Sequence, residues 1–216
     1  MLTISRGAKA LQADPRAGYN PASPDARVMR LGLFGGSFNP VHLGHLITAL
    51  RAAETARLDR IRFIPAAVSP LKPAAGLAPA RDRWALLRAA LRENPSFEAD
   101  DRELRRGGVS YTVDTLREIR GETRDGLFWI LGADAARLLP RWKALDEILR
   151  LATLVVVTRP GDSIPAKLPK KHIVVKAPLL GISSSEIRDR LRKGRSIRYL
   201  VPEAVERMIR RKGLYR

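Results

Sequence analysis

Cysteine is absent from all 216 residues. That excludes a disulfide scaffold, a CxxC redox pair, a cysteine-ligated zinc site and a thiol nucleophile, so any chemistry here uses oxygen and nitrogen groups. Histidine is nearly as scarce, with three residues, and aromatic side chains make up only 6% of the chain. The longest apolar stretches, residues 28–34 and 151–157, have the length of strands, and a membrane-spanning helix is excluded. The first 28 residues lack the apolar core of a secretory signal, and Asp14 and Asp25 do not fit a transit peptide. A cytoplasmic enzyme is the expectation. Acidic side chains are the minority, 22 against 40 basic, for a formal net charge of +18. Such a balance suits anionic partners, either nucleic acid or small phosphorylated metabolites, and does not choose between them. An arginine-rich coding bias would give the same totals. Residues 182–216 hold eleven basic and four acidic side chains, net +7, so the C-terminal end is the expected anion-facing region.

At about 150 residues per domain the length fits one domain, and 45% apolar residues is ordinary globular composition. Residues 1–28 contain Gly7, Pro15, Gly18, Pro21 and Pro24 among few apolar side chains. Such a segment cannot bury enough surface to offset its ordering entropy and reads as a flexible extension. An alternative is that translation begins at Met29. Residues 29–216 then read as a single domain. From Met29 onward short β-rich runs (MRLGLF, IRFIP, LFWIL, TLVVVT, HIVVK) alternate with helical patterns over 43–57, 81–92, 112–120 and 144–150, and two helices follow. A weaker strand is expected around Phe97. This alternation predicts an α/β fold, a Rossmann-like doubly wound parallel sheet with helices on both faces. LFWIL and LVVV read as central strands buried on both sides. Residues 66–79, with Pro70, Pro73, Gly76 and Pro79, form a long loop where open α/β sheets place binding sites.

The sharpest motif is GGSFNPVHLGH over 35–45, between the first strand and the first long helix. Glycines at Gly35 and Gly36 would let the backbone approach a ligand, and a following helix N-terminus offers free N–H groups to a phosphate. His42 and His45 are spaced i, i+3, so on a helix they share a face and can reach one anion, donating hydrogen bonds where transition-state charge builds. A satisfied core or surface pair is the structural alternative. A zinc site would need a third ligand, and only His172 remains. The P-loop pattern GxxxxGK[ST] is absent.

This motif resembles the GxFxPxHxGH signature of the nucleotidyltransferase superfamily. ISSSEIR, over 182–188, is similar to that superfamily's second signature; alone it would read as serine hydroxyls capping a helix with a surface arginine. The finer resemblance is to the nicotinate mononucleotide adenylyltransferases, carried by IPAAVSPLKP, ARDRWALLRAAL, ELRRGGVSYTVDTL, LGADAARLLPRW, TRPG, VPEAVERMI and GLYR. It implies transfer of AMP from ATP to nicotinate mononucleotide with release of pyrophosphate. It implies that His42, His45 and Arg188 are catalytic, and that Gly35, Gly36, Ser37, Phe38, Gly132, Asp134, Ser184, Ser185 and Lys72 bind ATP. Tyr111, Thr112 and Trp142 are implied to seat the mononucleotide, Mg²⁺ to enter mainly on the ATP phosphates, and no metal to be held by the protein. Asp134 could instead cap a helix, Trp142 fill the core, and Tyr111 and Thr112 merely begin a helix. The chain departs from the usual pattern with Ser37 and Asn39 in the first motif and Pro70-Leu71-Lys72 in the long loop. The implied partners are the two small molecules, with no specific nucleic acid and no membrane, and a homo-oligomer is left open. From another class, a basic nucleic-acid-binding module is the rival reading, and no RRM, KH, zinc-finger or helix-turn-helix signature accompanies it.

Overall fold

The computed structural model describes residues 28–71, 76–162, 168–178 and 180–216. Lys72 and nearly all of the N-terminal extension lie outside them. Six parallel strands form one sheet: β1 (Arg30–Gly36), β2 (Arg60–Pro65), β3 (Phe97–Ala99), β4 (Gly126–Gly132), β5 (Thr153–Thr158) and β6 (His172–Lys176). Their order across the sheet is β3-β2-β1-β4-β5-β6. The chain winds outward from β1 to β3, returns, and winds the other way from β4, which is the doubly wound arrangement expected from the alternation.

Side-chain alternation explains why the central strands read as continuous apolar runs. In β4, Leu127, Trp129 and Leu131 enter one core and Phe128 and Ile130 the other; in β5, Leu154 and Val156 face the first and Val155 and Val157 the second. Both faces are therefore covered. On one face lie α1 (Leu43–Ala56), α2 (Ala80–Leu91), α7 (Ser184–Arg192) and α8 (Glu203–Lys212). On the other lie α4 (Thr112–Glu122) and α6 (Leu145–Leu151). Helix α1 reaches the sheet through Ala49, Ala52 and Ala56, all essentially buried, so its axis can approach closely. It stops where Arg57 turns left-handed, with φ 49°. Two five-residue helices, α3 (Arg102–Arg106) and α5 (Ala133–Arg137), and a 3-10 turn at Leu139–Arg141 complete the described elements. None of these three was expected from the sequence. Among the described residues no helix is long and apolar enough to cross a membrane.

Strand order reverses between β1 and β4, and there the crevice beyond the carboxyl ends of the strands opens. Residues 37–42 leave β1 at this crevice, α5 leaves β4 at it, and the segments after β2 and β5 flank it.

Candidate active site

His42 is the N-cap of α1, in extended conformation and 4% exposed. Its backbone N–H donates to His45 Nδ1 at 3.2 Å, and an accepting Nδ1 puts the proton of a neutral His45 ring on Nε2. The two imidazoles stack with centroids 3.7 Å apart and planes tilted by 31°, while the edge of Phe38 lies 5.0 Å from His45. A Cβ at Gly44 would stand 2.9 Å from His42 Nδ1, so glycine is required for this ring to occupy its place. Burial, reinforced by the charge of Arg159, lowers the His42 pKa from 6.5 to about 4. At neutral pH the ring is uncharged, and its Nδ1 has no hydrogen-bond partner among the described residues.

The second motif packs directly on the first. Ser183 is the N-cap of α7 and accepts the Glu186 N–H at 3.1 Å. Ser184 Oγ donates to the Pro40 carbonyl at 2.9 Å, and Arg188 donates to the Asn39 carbonyl at 2.8 Å and to Ser185 Oγ at 3.2 Å. The loop between β1 and α1 is braced from its other side. Asn39, 4% exposed, donates to the Gly76 carbonyl and accepts the Ala78 N–H. Arg83, buried within α2, donates to the carbonyls of Ser37, Ala66, Ala67 and Ala78. A buried guanidinium is costly, and four carbonyls in its fixed fork geometry offset that cost.

Gly35 and Gly36 have a packing reason that stands beside the expected ligand approach. The space a Cβ would need is taken by the Trp129 ring, 2.8 Å from Gly35, and by the Phe38 ring, 3.1 Å from Gly36. Ring packing excludes a Cβ at Gly35 and leaves a tight fit for one at Gly36. At Gly132, the N-cap of α5, a Cβ would meet nothing within 4 Å. Asp134 sits in the first turn of α5 with its side chain 89% exposed and pairs with Arg137 rather than capping the helix.

Tyr111 is the N-cap of α4 and Thr112 its first residue. Trp142 follows the 3-10 turn, and both rings are partly buried against the core under α4 and α6. The Lys143 amine lies 4.5 Å from the Tyr111 ring centroid, which brings the two expected mononucleotide segments together. The Trp142 Nε1 is buried with no hydrogen-bond partner among the described residues. Core packing and a ligand-facing ring are thus compatible at this position. Among the described residues no three His, Asp or Glu side chains are grouped to hold a metal ion.

A family model described as cytidylyltransferase-like matches residues 33–190. A protein of Thermus thermophilus named nicotinate-nucleotide adenylyltransferase is 50% identical over 190 residues, covering 87% of this chain and 100% of its own length. A Synechococcus relative of the same name is 43% identical over 201 residues, covering 89% and 97%. The chain belongs to the nicotinate-nucleotide adenylyltransferase family. Its fold is that of a solved structure, Plasmodium falciparum nicotinic acid mononucleotide adenylyltransferase complexed with NaAD, at TM-score 0.72 and 18% identity over 87% of this chain and 97% of that one. In this adenylyltransferase-family chain, Arg83 and Arg159 belong to the site's framework although they lie outside the two motifs, and Asn39, Gly44 and Ser183, inside the motifs, carry structural roles that no reading of the sequence assigned to them individually. The signal available for those three was their place in the motifs; for Arg83 and Arg159 none is local.

Proposed function

We propose that this chain transfers AMP from ATP to nicotinate mononucleotide, forming nicotinate adenine dinucleotide and pyrophosphate, and that it does so in the cytoplasm as one domain spanning 29–216. The observation that carries this reading is the lock between the two motifs, Ser184 on Pro40 and Arg188 on Asn39, beside a stacked histidine pair in which His42 is uncharged.

A phosphate oxygen of the mononucleotide attacks the α-phosphorus of ATP; the bond from that phosphorus to the α,β-bridging oxygen breaks, and pyrophosphate leaves with the electron pair. The attacking phosphate is already an anion, so no general base is required. The demand is alignment of two anions and stabilisation of charge on the α-phosphoryl oxygens and the leaving group. His42 and His45 donate hydrogen bonds to the ATP phosphates, the uncharged His42 through its single ring N–H. Gly35, Gly36, Ser37 and Phe38 line the turn beneath the phosphates. Arg188, Ser184, Ser185 and Lys72 hold the departing end, Arg188 with its charge-assisted donors. Gly132 and Asp134 lie against the adenosine ribose, where a carboxylate accepts from hydroxyls. Mg²⁺ carried on the triphosphate would supply further neutralisation of the phosphate charge.

On the acceptor side, the first N–H groups of α4 near Thr112 face the nicotinate carboxylate, with Tyr111 beside them, and Trp142 stacks on the pyridinium. The carboxamide of the amidated mononucleotide would bring an NH₂ donor against those donors, so the acid is preferred by roughly 10²-fold in kcat/KM. Pyrophosphate release from ATP with each mononucleotide in turn tests the whole reading. Release with nicotinate mononucleotide and little with the amide is expected; release with neither would overturn it.

A further inference from the structure

The mechanism uses none of the buried carboxylates Asp82, Glu103 and Glu206; Asp82 pairs with Lys212 and Glu206 with Arg210, whereas Glu103 is held by hydroxyls. Glu103, on the short helix α3, is 3% exposed. It accepts from the Thr115 hydroxyl at 2.6 Å and is also hydrogen-bonded by Ser110. Those two residues bracket the start of α4: Ser110 precedes its N-cap and Thr115 lies one turn inside it. Ser110 reaches further. Its hydroxyl accepts the Ala67 N–H at 3.0 Å, and its own N–H donates to the Val68 carbonyl at 2.8 Å. The carbonyls of Ala66 and Ala67 are held by Arg83, which also holds Ser37, and the Ala66 N–H donates to Gly36. A continuous hydrogen-bond path therefore runs from the loop after β1, through residues 66–68, to Ser110 and ends on Glu103.

We infer that Glu103 is a positioning residue for the acceptor substrate: by fixing Ser110 and Thr115 it sets where the first turn of α4 stands relative to the phosphate-binding loop after β1. This rests on the mononucleotide being seated at the start of α4. The chemistry of a carboxylate suits the task. Ionised, it only accepts, so Ser110 must turn its proton towards Glu103 and offer a lone pair to the Ala67 N–H. A group able to donate would leave that orientation undetermined. Burial pushes the Glu103 pKa up, and the hydroxyls of Thr115 and Ser110, with the charge of Arg106, pull it back, against a smaller opposing effect of Glu118. Arg106 is itself occupied by Glu118 at 2.6 Å and by Thr115 at 3.0 Å, so the carboxylate's hydrogen bonds go to hydroxyls and its role is directional. The helix it steadies has no side-chain cap among the described residues, which leaves the N–H groups of its first turn for a ligand.

The test uses the full chain, with wild type, Glu103→Gln, Ser110→Ala and the double variant, measuring KM for ATP and for nicotinate mononucleotide separately, kcat, and the ratio of acid to amide mononucleotide in kcat/KM. Glu103→Gln should raise KM for the acid mononucleotide roughly tenfold and lower the acid-to-amide ratio by a similar factor, with KM for ATP changed less than about twofold. Ser110→Ala should show the same split, and the double variant should be no worse than the worse single one, since both break one path. If Glu103→Gln does not fold, Ser110→Ala alone decides. Parallel rises in both KM values, an unchanged acid-to-amide ratio, or additive defects would overturn the inference while leaving an active wild type and its functional reading intact. A wild type that releases no pyrophosphate with any mononucleotide would overturn that reading and this inference together.

Discussion

The two halves of the candidate site are built differently. On the phosphate side every segment is held by another: Arg188 and Ser184 grip the loop from one flank, Arg83 and Asn39 from the other, and His42 is stacked, buried and uncharged before any ligand arrives. On the side proposed for the ribose and the acceptor, Asp134 projects into solvent beside Arg137, Gly132 faces open space, and Trp142 rests on the core with its Nε1 unpaired among the described residues. Under the proposed function, the first half spends folding free energy on preorganising charge-stabilising donors, and the second leaves polar groups for substrate to satisfy. The contrast matches what each half is asked to do, because preorganisation matters most where charge develops in the transition state.

The contrast can be broken most directly at His45. His45→Ala should cost 10²-fold or more in kcat, about 3 kcal/mol, with an unchanged fold by circular dichroism. Near-wild-type kcat with a lowered melting temperature would make the pair a packing device. Next in size is a pH effect on stability. The unfolded chain protonates His42 near pH 6.5 and the folded chain only near pH 4, so its contribution is fully present above pH 6.5 and drains away as pH falls towards 4. Urea unfolding between pH 7.5 and 4.5 should show wild type losing about 2.5 kcal/mol more than His42→Asn; equal losses would mean that the ring is not held neutral. Arg188→Ala should weaken ATP by about 10- to 30-fold and the mononucleotide hardly at all. Equal weakening of both would erase the boundary between the halves. The smallest effect belongs to the looser side. Trp142→Ala should raise KM for the mononucleotide several-fold, about 1 kcal/mol, with ATP unaffected; a defect confined to ATP would show that the ring serves the wrong half.

The sheet was legible because β4 and β5 are apolar on both faces and each is separated from the next strand by an amphipathic segment, a pattern that few other architectures produce. Helices α3 and α5 were not legible, since five residues make too few turns to show a period. Both motifs could be read because their residues are neighbours in the chain. Arg83 and Arg159 could not, because their roles depend on carbonyls and a ring brought up from distant segments, and nothing local separates them from the many other arginines. Among three consecutive serines, which one caps α7 depends on where the backbone first turns helical, and that fell on Ser183 rather than on Ser184 or Ser185. The packing reason for Gly35 was not legible, since Trp129 lies on a strand that follows some ninety residues later.

The bonds that join the two motifs span 144 and 149 residues of chain. A nascent polypeptide leaving the ribosome can complete β1 through β5 and bury much of both cores while α7 is still unmade or in the exit tunnel. Closing so long a loop adds an entropic cost that grows only logarithmically, so the lock forms readily once α7 emerges, but it cannot form sooner. The contact between the two motifs is therefore acquired in the last stretch of synthesis. Under the proposed function, partial chains that have already folded their sheet would not compete with finished molecules for ATP.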